Sequence, residues 1–178
     1  MIEIDDAGGG CFLGPEVLVI HRLETNLVWY YYIPPQVRRR VSYATNILKK
    51  ALVELAIPKD EPVKLCRGEI FDPFQLYLQK ENYSVIREKV SEATDSLAES
   101  KFMEILYSYG FPRWITLEKR NYQDLYNLVG CWYFSQPRKA VEKLRKIRLQ
   151  PPFWTKKFAR QYPNLVRLLL KEEEVAAG

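Results

Sequence analysis

The sequence predicts a mixed α/β domain, a five-stranded sheet flanked by helices and followed by a helical C-terminal region. Three observations predict it. Two apolar runs, 16–22 and 27–33, are joined by the short segment Leu23-Glu24-Thr25-Asn26, which is a hairpin pattern. From Gln36 onward, Val37, Val41, Ala44, Leu48, Ala51, Leu52 and Leu55 recur at three- and four-residue spacing, the stripe of an amphipathic helix. Further short apolar runs then alternate with helical stripes, the order that packs helices onto a sheet.

Residues 1–6 form the first strand, which ends in acid. The hairpin strands follow, and the second of them, Leu27-Val28-Trp29-Tyr30-Tyr31-Tyr32-Ile33, is so β-branched and aromatic that little else suits it. Pro34-Pro35 stops it, and a helix of about six turns is expected over 36–57, ending at Pro58. A fourth strand is expected over 63–71, closed by Asp72-Pro73, and then a short helix over 73–80, where proline suits the first turn. Residues 83–90 read as a weaker fifth strand. Thr94 reads as the cap of a helix over 95–109 that Gly110 and Pro112 end. From 122 to 170 the pattern is helical, with breaks near Pro137, at Pro151-Pro152 and at Pro163, and Glu172-Glu173-Glu174 begins a frayed tail. The division expected is a core over 1–115 and a helical extension over 116–178 packed on it.

Composition narrows the chemistry. With 178 residues, 47% hydrophobic and 28% charged, the chain has the makings of an ordinary globular core. No run of about eighteen apolar residues is present and the first residues are acidic, so neither a membrane span nor a secretory signal is expected, and the cytoplasm is the expected compartment. Cys11, Cys66 and Cys131 are odd in number and lack any CxxC spacing, so they read as small buried apolar residues rather than a disulfide or zinc framework. The one histidine, His21, lies in a strand-like run and reads as a sheet-face residue, which leaves serine or cysteine catalysis without its usual base. Carboxylates and a metal are the remaining instruments. The net charge is +5, and Arg138, Lys139, Lys143, Arg145, Lys146, Arg148, Lys156, Lys157, Arg160 and Arg167 stand against Glu142 alone. Interleaved with Phe153, Trp154, Phe158 and Tyr162, these cations suit a polyanion backbone, or else a solvated helix face.

Acids collect at element ends: Asp5 and Asp6 after the first strand, Glu69 and Asp72 after the fourth, Asp95 and Glu99 on the helix after the fifth. Strand ends are where α/β sheets place their sites. At 100° per residue, Asp95, Ala98, Glu99, Phe102, Ile105, Leu106 and Tyr109 fall in one stripe of roughly 120°, so two acids share the core-facing side. A plainer reading is that they face the helix dipole from the first turn. Strand alternation sends Asp5 and Asp6 to opposite faces, and Glu69 or Asp72 alone could be a turn former.

The segment Ile4-Asp5-Asp6-Ala7-Gly8-Gly9-Gly10-Cys11-Phe12-Leu13-Gly14-Pro15 resembles the opening signature of type 2 ribonuclease H, IDEAGRGxxxGP, and the element order is similar to that of the ribonuclease H-like fold. Asp6 stands where the family has glutamate and Gly9 where it has arginine. The resemblance implies that Asp5 is the central metal ligand, with Asp6 beside it. It implies that Asp72 (rival Glu69) and Asp95 (rival Glu99) complete a catalytic set. Gly8, Gly9 and Gly10 become the loop that reads nucleic acid, with Lys143, Lys146, Lys156, Lys157 and Arg160 on neighbouring phosphates. The activity implied is hydrolysis of phosphodiester bonds in RNA, RNA/DNA hybrid or structured DNA, with two Mg²⁺ or Mn²⁺ ions about 3.5–4 Å apart. A catalytically inactive nucleic-acid-binding protein on the same scaffold is the alternative. An acidic-glycine phosphate loop of the sugar kinase and actin-like type ranks third, because that architecture needs a second nucleotide-binding half.

Overall fold

The computed structural model of the chain describes residues 1–117 and 121–148, with Pro163 and Arg167 besides. Five strands, β1 (Ile2–Ala7), β2 (Glu16–Arg22), β3 (Leu27–Ile33), β4 (Val63–Leu65) and β5 (Val85–Arg87), form one sheet in the order β3-β2-β1-β4-β5. β1, β2 and β3 are antiparallel neighbours, and β4 pairs parallel with both β1 and β5, so the sheet is mixed as predicted. The helices are α1 (Arg40–Glu54), α2 (Asp72–Lys80), α3 (Glu92–Ser108), α4 (Tyr122–Ser135) and α5 (Arg138–Arg145).

The pleat of the sheet sorts two apolar layers. Ile2 and Ile4 of β1, with Leu18 and Ile20 of β2, pack against Ala44, Leu48, Leu52, Phe74 and Leu78 of α1 and α2. Ala7, Val17 and Val19 turn to the other face, against Ala98, Phe102 and Leu106 of α3 and Leu125, Val129, Tyr133 and Leu144 of α4 and α5. The described residues between 117 and 148 therefore share the core of the α3 face. Ile147 and Arg148 also meet the loop after β1, where Leu13 forms a bridge with Arg148 and Gly14 N–H donates to Ile147 O at 2.6 Å.

Several elements differ from the sequence expectation. The fourth strand stops at Leu65, and Glu69–Phe71 forms a one-turn 3-10 helix instead. Ile70 and Phe71 are consecutive and both buried in the α1-side layer; a strand would send them to opposite faces, a helical turn does not. α1 ends at Glu54 rather than Ile57, because Ala56 adopts a φ of 47° and closes the helix with two reverse bonds, Ala56 N–H to Val53 O and Ile57 N–H to Leu52 O. It also begins four residues later than expected, at Arg40, and β5 is shorter than 83–90. α3 begins at Glu92 with Ser91 as its cap, not at Asp95 behind Thr94.

The reason for that last shift is a buried carboxylate. Glu3, only 1% exposed, points to the α3 face of β1 and accepts hydrogen bonds from Ser91 N–H, Ser91 Oγ and Thr94 Oγ1, and from Lys64 Nζ at 3.2 Å. Both hydroxyls thus donate to Glu3, and that of Ser91, three residues earlier in the chain, also accepts from Thr94 N–H as the helix cap. The chain of bonds runs on to His21, whose Nδ1 lies 2.9 Å from Thr94 Oγ1 and whose Nε2 lies 3.0 Å from Asn26 Oδ1. Burial by itself pushes the Glu3 carboxyl up, but the bonds from Ser91, Thr94 and Lys64 together hold it below its ordinary value. A lowered carboxyl contributes stability that is present above the unfolded value of 4.5 and is lost as pH falls through the folded value.

Replacing Glu3 by alanine strands these donors without their acceptor, and Glu3→Ala is expected to lower stability by about 3 kcal/mol. Urea denaturation at neutral pH checks it. A loss under about 1 kcal/mol would mean that the network does not hold α3.

Candidate functional site

β1 is the central strand, and its carboxyl end is bordered by β2 on one side and β4 on the other. Asp5 and Asp6 lie there, and alternation separates them as the sequence implies. Asp5 shares the α3 face with Glu3 and Ala7, whereas Asp6 shares the α1 face with Ile2 and Ile4. Asp5 is buried, at 3% exposure.

On the α1 face Asp6 is hydrogen-bonded to Glu16, the first residue of β2. Glu16 is buried and holds Arg40 in a two-pronged ion pair, with Nε 2.9 Å from Oε2 and Nη2 on Oε1. Asp6 Oδ1 sits over Gly68, 3.0 Å from where a Cβ would stand. Burial raises both carboxyls of this pair and mutual repulsion raises Glu16 further, to about 8, against the pull of Arg40. Both effects favour a proton retained on the pair well above the ordinary carboxylate range. Arg87, at the end of β5, also draws Asp6 down, while its Nη2 donates to Gly68 O and to Asp72 Oδ1, both at 2.7 Å. Asp72 is exposed and occupied by Arg87; Glu69 is exposed at the start of the 3-10 turn.

On the α3 face the arrangement is different. The Cys66 thiol, just past β4, is hydrogen-bonded to Asp5, and burial followed by that bond pushes it up to about 11. Glu99 of α3 accepts a hydrogen bond from Tyr122 Oη at 2.7 Å. Burial, that bond, and the charges of Glu99, Asp5 and Asp6 all push the Tyr122 phenol far up. One phenol therefore feels three of the carboxylates predicted from sequence. Asp95 lies one turn before Glu99, half-buried, in the first turn of α3. Ala98, Phe102 and Leu106 form the buried centre of the predicted stripe, with Asp95, Glu99, Ile105 and Tyr109 at its margins.

Among the described residues, no group of three or more His, Cys, Asp or Glu side chains is set to hold a metal ion. Mg²⁺ needs less than such a cage, because it keeps several waters and is usually held by one or two carboxylates with substrate phosphates. Asp5 and Glu99, both hard oxygen donors near Tyr122, fit that mode. The sequence reading missed Glu16, Arg40, Arg87, Cys66 and Tyr122. An acid opening an otherwise apolar strand was a signal for Glu16; nothing local marked the others.

The glycines prove to be packed against protein. A Cβ on Gly8, whose φ is 86°, would strike the Phe102 ring; one on Gly9 would strike Arg40 and Glu16; one on Gly10 would come within 2.8 Å of Tyr126. Each glycine thus has a packing reason to be glycine. Lys143 and Lys146 are exposed, whereas Lys156, Lys157 and Arg160 lie outside the described residues, as do the aromatics interleaved with them. Of the cysteines, Cys11 is buried and Cys66 half-buried, but Cys131 is exposed, because it falls on the outer side of α4. No described helix is long and apolar enough to cross a membrane.

A carboxyl raised in the folded state contributes stability below its unfolded value of 4.5 and loses it as pH climbs through about 8. Glu16→Gln keeps a donor toward Asp6 and carries no titrating proton. The wild-type chain should therefore lose stability between pH 5 and 8.5 and Glu16→Gln should lose less, as urea midpoints at the two pH values would reveal. Equal losses would show that the pair does not share a proton.

No protein-family model matches the chain, and no curated protein matches it.

Proposed function

We propose that the chain is a metal-dependent nuclease of ribonuclease H-like fold that hydrolyses phosphodiester bonds in RNA, RNA/DNA hybrid or structured DNA. The observation that carries the reading is the Tyr122 phenol, which hydrogen-bonds Glu99 and feels the charge of Asp5, at the carboxyl end of a central strand flanked by an antiparallel and a parallel neighbour. The strand order β3-β2-β1-β4-β5 supports the same fold.

Each residue has a part in this reading. Asp5, fixed by the Cys66 thiol, and Glu99, fixed by Tyr122, would hold Mg²⁺ or Mn²⁺, with Asp95 a turn away on α3. The chemistry such ions supply when bound is Lewis-acid polarisation of phosphate and activation of water. Asp6 and Asp72 serve as ligands only after exchanging Glu16 and Arg87 for that role. Lys143 and Lys146, exposed at the end of α5, would take neighbouring backbone phosphates, which position the strand without reading its bases.

The second reading, a nucleic-acid-binding protein without chemistry, is favoured by one specific observation. Asp6 and Asp72 are each engaged by protein partners, through Glu16 with Arg40 and through Arg87.

Purified protein with Mn²⁺ should cleave at least one of a panel of hybrid, duplex, junction and single-stranded substrates, and Asp5→Asn should lower that cleavage by ~100-fold or more. Calorimetry should show Mn²⁺ binding weakened by the same substitution. Salt-sensitive binding with no turnover selects the second reading. Neutralising Lys143 or Lys146 should reduce the slope of log affinity against log salt by about 1 each, with sequence preference unchanged.

A further inference from the structure

Trp114 is 83% exposed, the most exposed of the large apolar side chains among the described residues. A side chain of this size in water is ordinary on a mobile tail. Trp114 is instead mounted on a fastened turn.

α3 ends at Ser108, and Gly110 just beyond it, with a φ of 97°, lets Phe111 N–H reach back to Leu106 O at 3.2 Å. Phe111 is then buried, edge-on to Trp132 with ring centroids 5.5 Å apart. Pro112 to Ile115 make one tight turn, closed by Ile115 N–H to Pro112 O at 3.1 Å. On the far side, Ile115 and Leu117 pack onto the α3-face core. Tyr107 braces the turn from below: its Oη donates to Ile115 O at 2.7 Å, and the Arg113 guanidinium lies 5.7 Å over its ring. Both ends of the turn and its middle are thus tied to α3 and the core, while Arg113 and Trp114 stand outward at its tip, both exposed.

A pre-positioned indole loses little conformational entropy on docking, and the flat face suits a base that has left its stack. The charge beside it chooses the partner: Arg113 is cationic, the chain carries +5, and the exposed cations of α5 lie in elements packed on the same face of the sheet. A polyanion with unpaired bases complements that pairing better than an acidic or neutral protein surface does.

We propose that the turn 112–115 is a docking element for single-stranded nucleic acid, with Trp114 stacking an unpaired base and Arg113 meeting an adjacent phosphate. The inference rests on nucleic acid being the partner, as proposed above, and goes beyond it by naming a contact outside the carboxylate site.

The test is fluorescence anisotropy in EDTA with a labelled twenty-nucleotide oligothymidylate and with a fully paired duplex. Trp114→Ala should weaken single-strand binding by roughly 5- to 150-fold, the range of one stacked base, with a near-unchanged salt slope and little change for duplex. Trp114→Phe should restore most of the affinity, and Arg113→Ala should lower the salt slope by about 1. Wild-type and Trp114→Ala protein binding the single strand equally would overturn the inference while leaving the nuclease reading standing. Wild-type protein that binds neither oligonucleotide, or whose Trp114 serves a protein partner instead, would overturn the inference too, the former along with its premise.

Discussion

The two-residue period of β1 is the constraint on which the rest depends. It sends Ile2, Ile4 and Asp6 to the α1 face and Glu3, Asp5 and Ala7 to the α3 face, and because β1 is central, both assignments are final. A slip of one residue would bury Asp5 among the α1-side aliphatics and expose Ile4 to the helix carrying Glu99. The apolar layers and the placement of the acids are therefore one decision.

That decision also sets the height of α3. Thr94 donates to Glu3, and the helix then runs alongside β1 in the same direction, as the packing of Phe102 beneath Gly8 shows. A helix rises about 1.5 Å per residue and a strand about 3.3 Å. The five residues from Thr94 to Glu99 thus cover about 7.5 Å, close to the roughly 6.6 Å from Glu3 to Asp5. Fastening Thr94 to Glu3 brings Glu99 level with Asp5. The buried network at one end of the strand is the ruler that places the candidate site at the other, so Glu3 acts on the site without touching it.

Much of this was legible in the sequence because it depends on local periodicity. The hairpin strands of β2 and β3, the stripe of α1 and the split of Asp5 from Asp6 follow from spacing alone. What was not legible depends on partners distant in the chain. Thr94 is a good cap by its chemistry, and the buried carboxylate that engages both it and Ser91 lies 91 residues from Thr94, at Glu3, out of reach of any local pattern. Val63–Phe71 has strand composition throughout, yet burial of Ile70 and Phe71 on one side converts its second half to a helical turn. The glycine run signals close approach, and sequence cannot say whether the approaching body is a ligand or, as at Gly8, a phenylalanine of the same chain.

The two faces of β1 handle their acids by different electrostatics, and this difference argues for the α3 face as the side on which the proposed cation would bind. Around Asp6 the compensation is charge itself: a shared proton with Glu16, and the guanidinium groups of Arg40 and Arg87. Around Asp5 and Glu99 the hydrogen bonds from Cys66 and Tyr122 come from neutral groups, which orient a carboxylate without cancelling its charge. A divalent cation such as the one proposed above is favoured most where the groups bonded to the carboxylates are neutral donors that need not leave first. On the α1 face a cation must displace a proton and compete with two arginines. On the α3 face the Cys66 and Tyr122 donors would stay where they are and hold the carboxylates in place for the proposed cation.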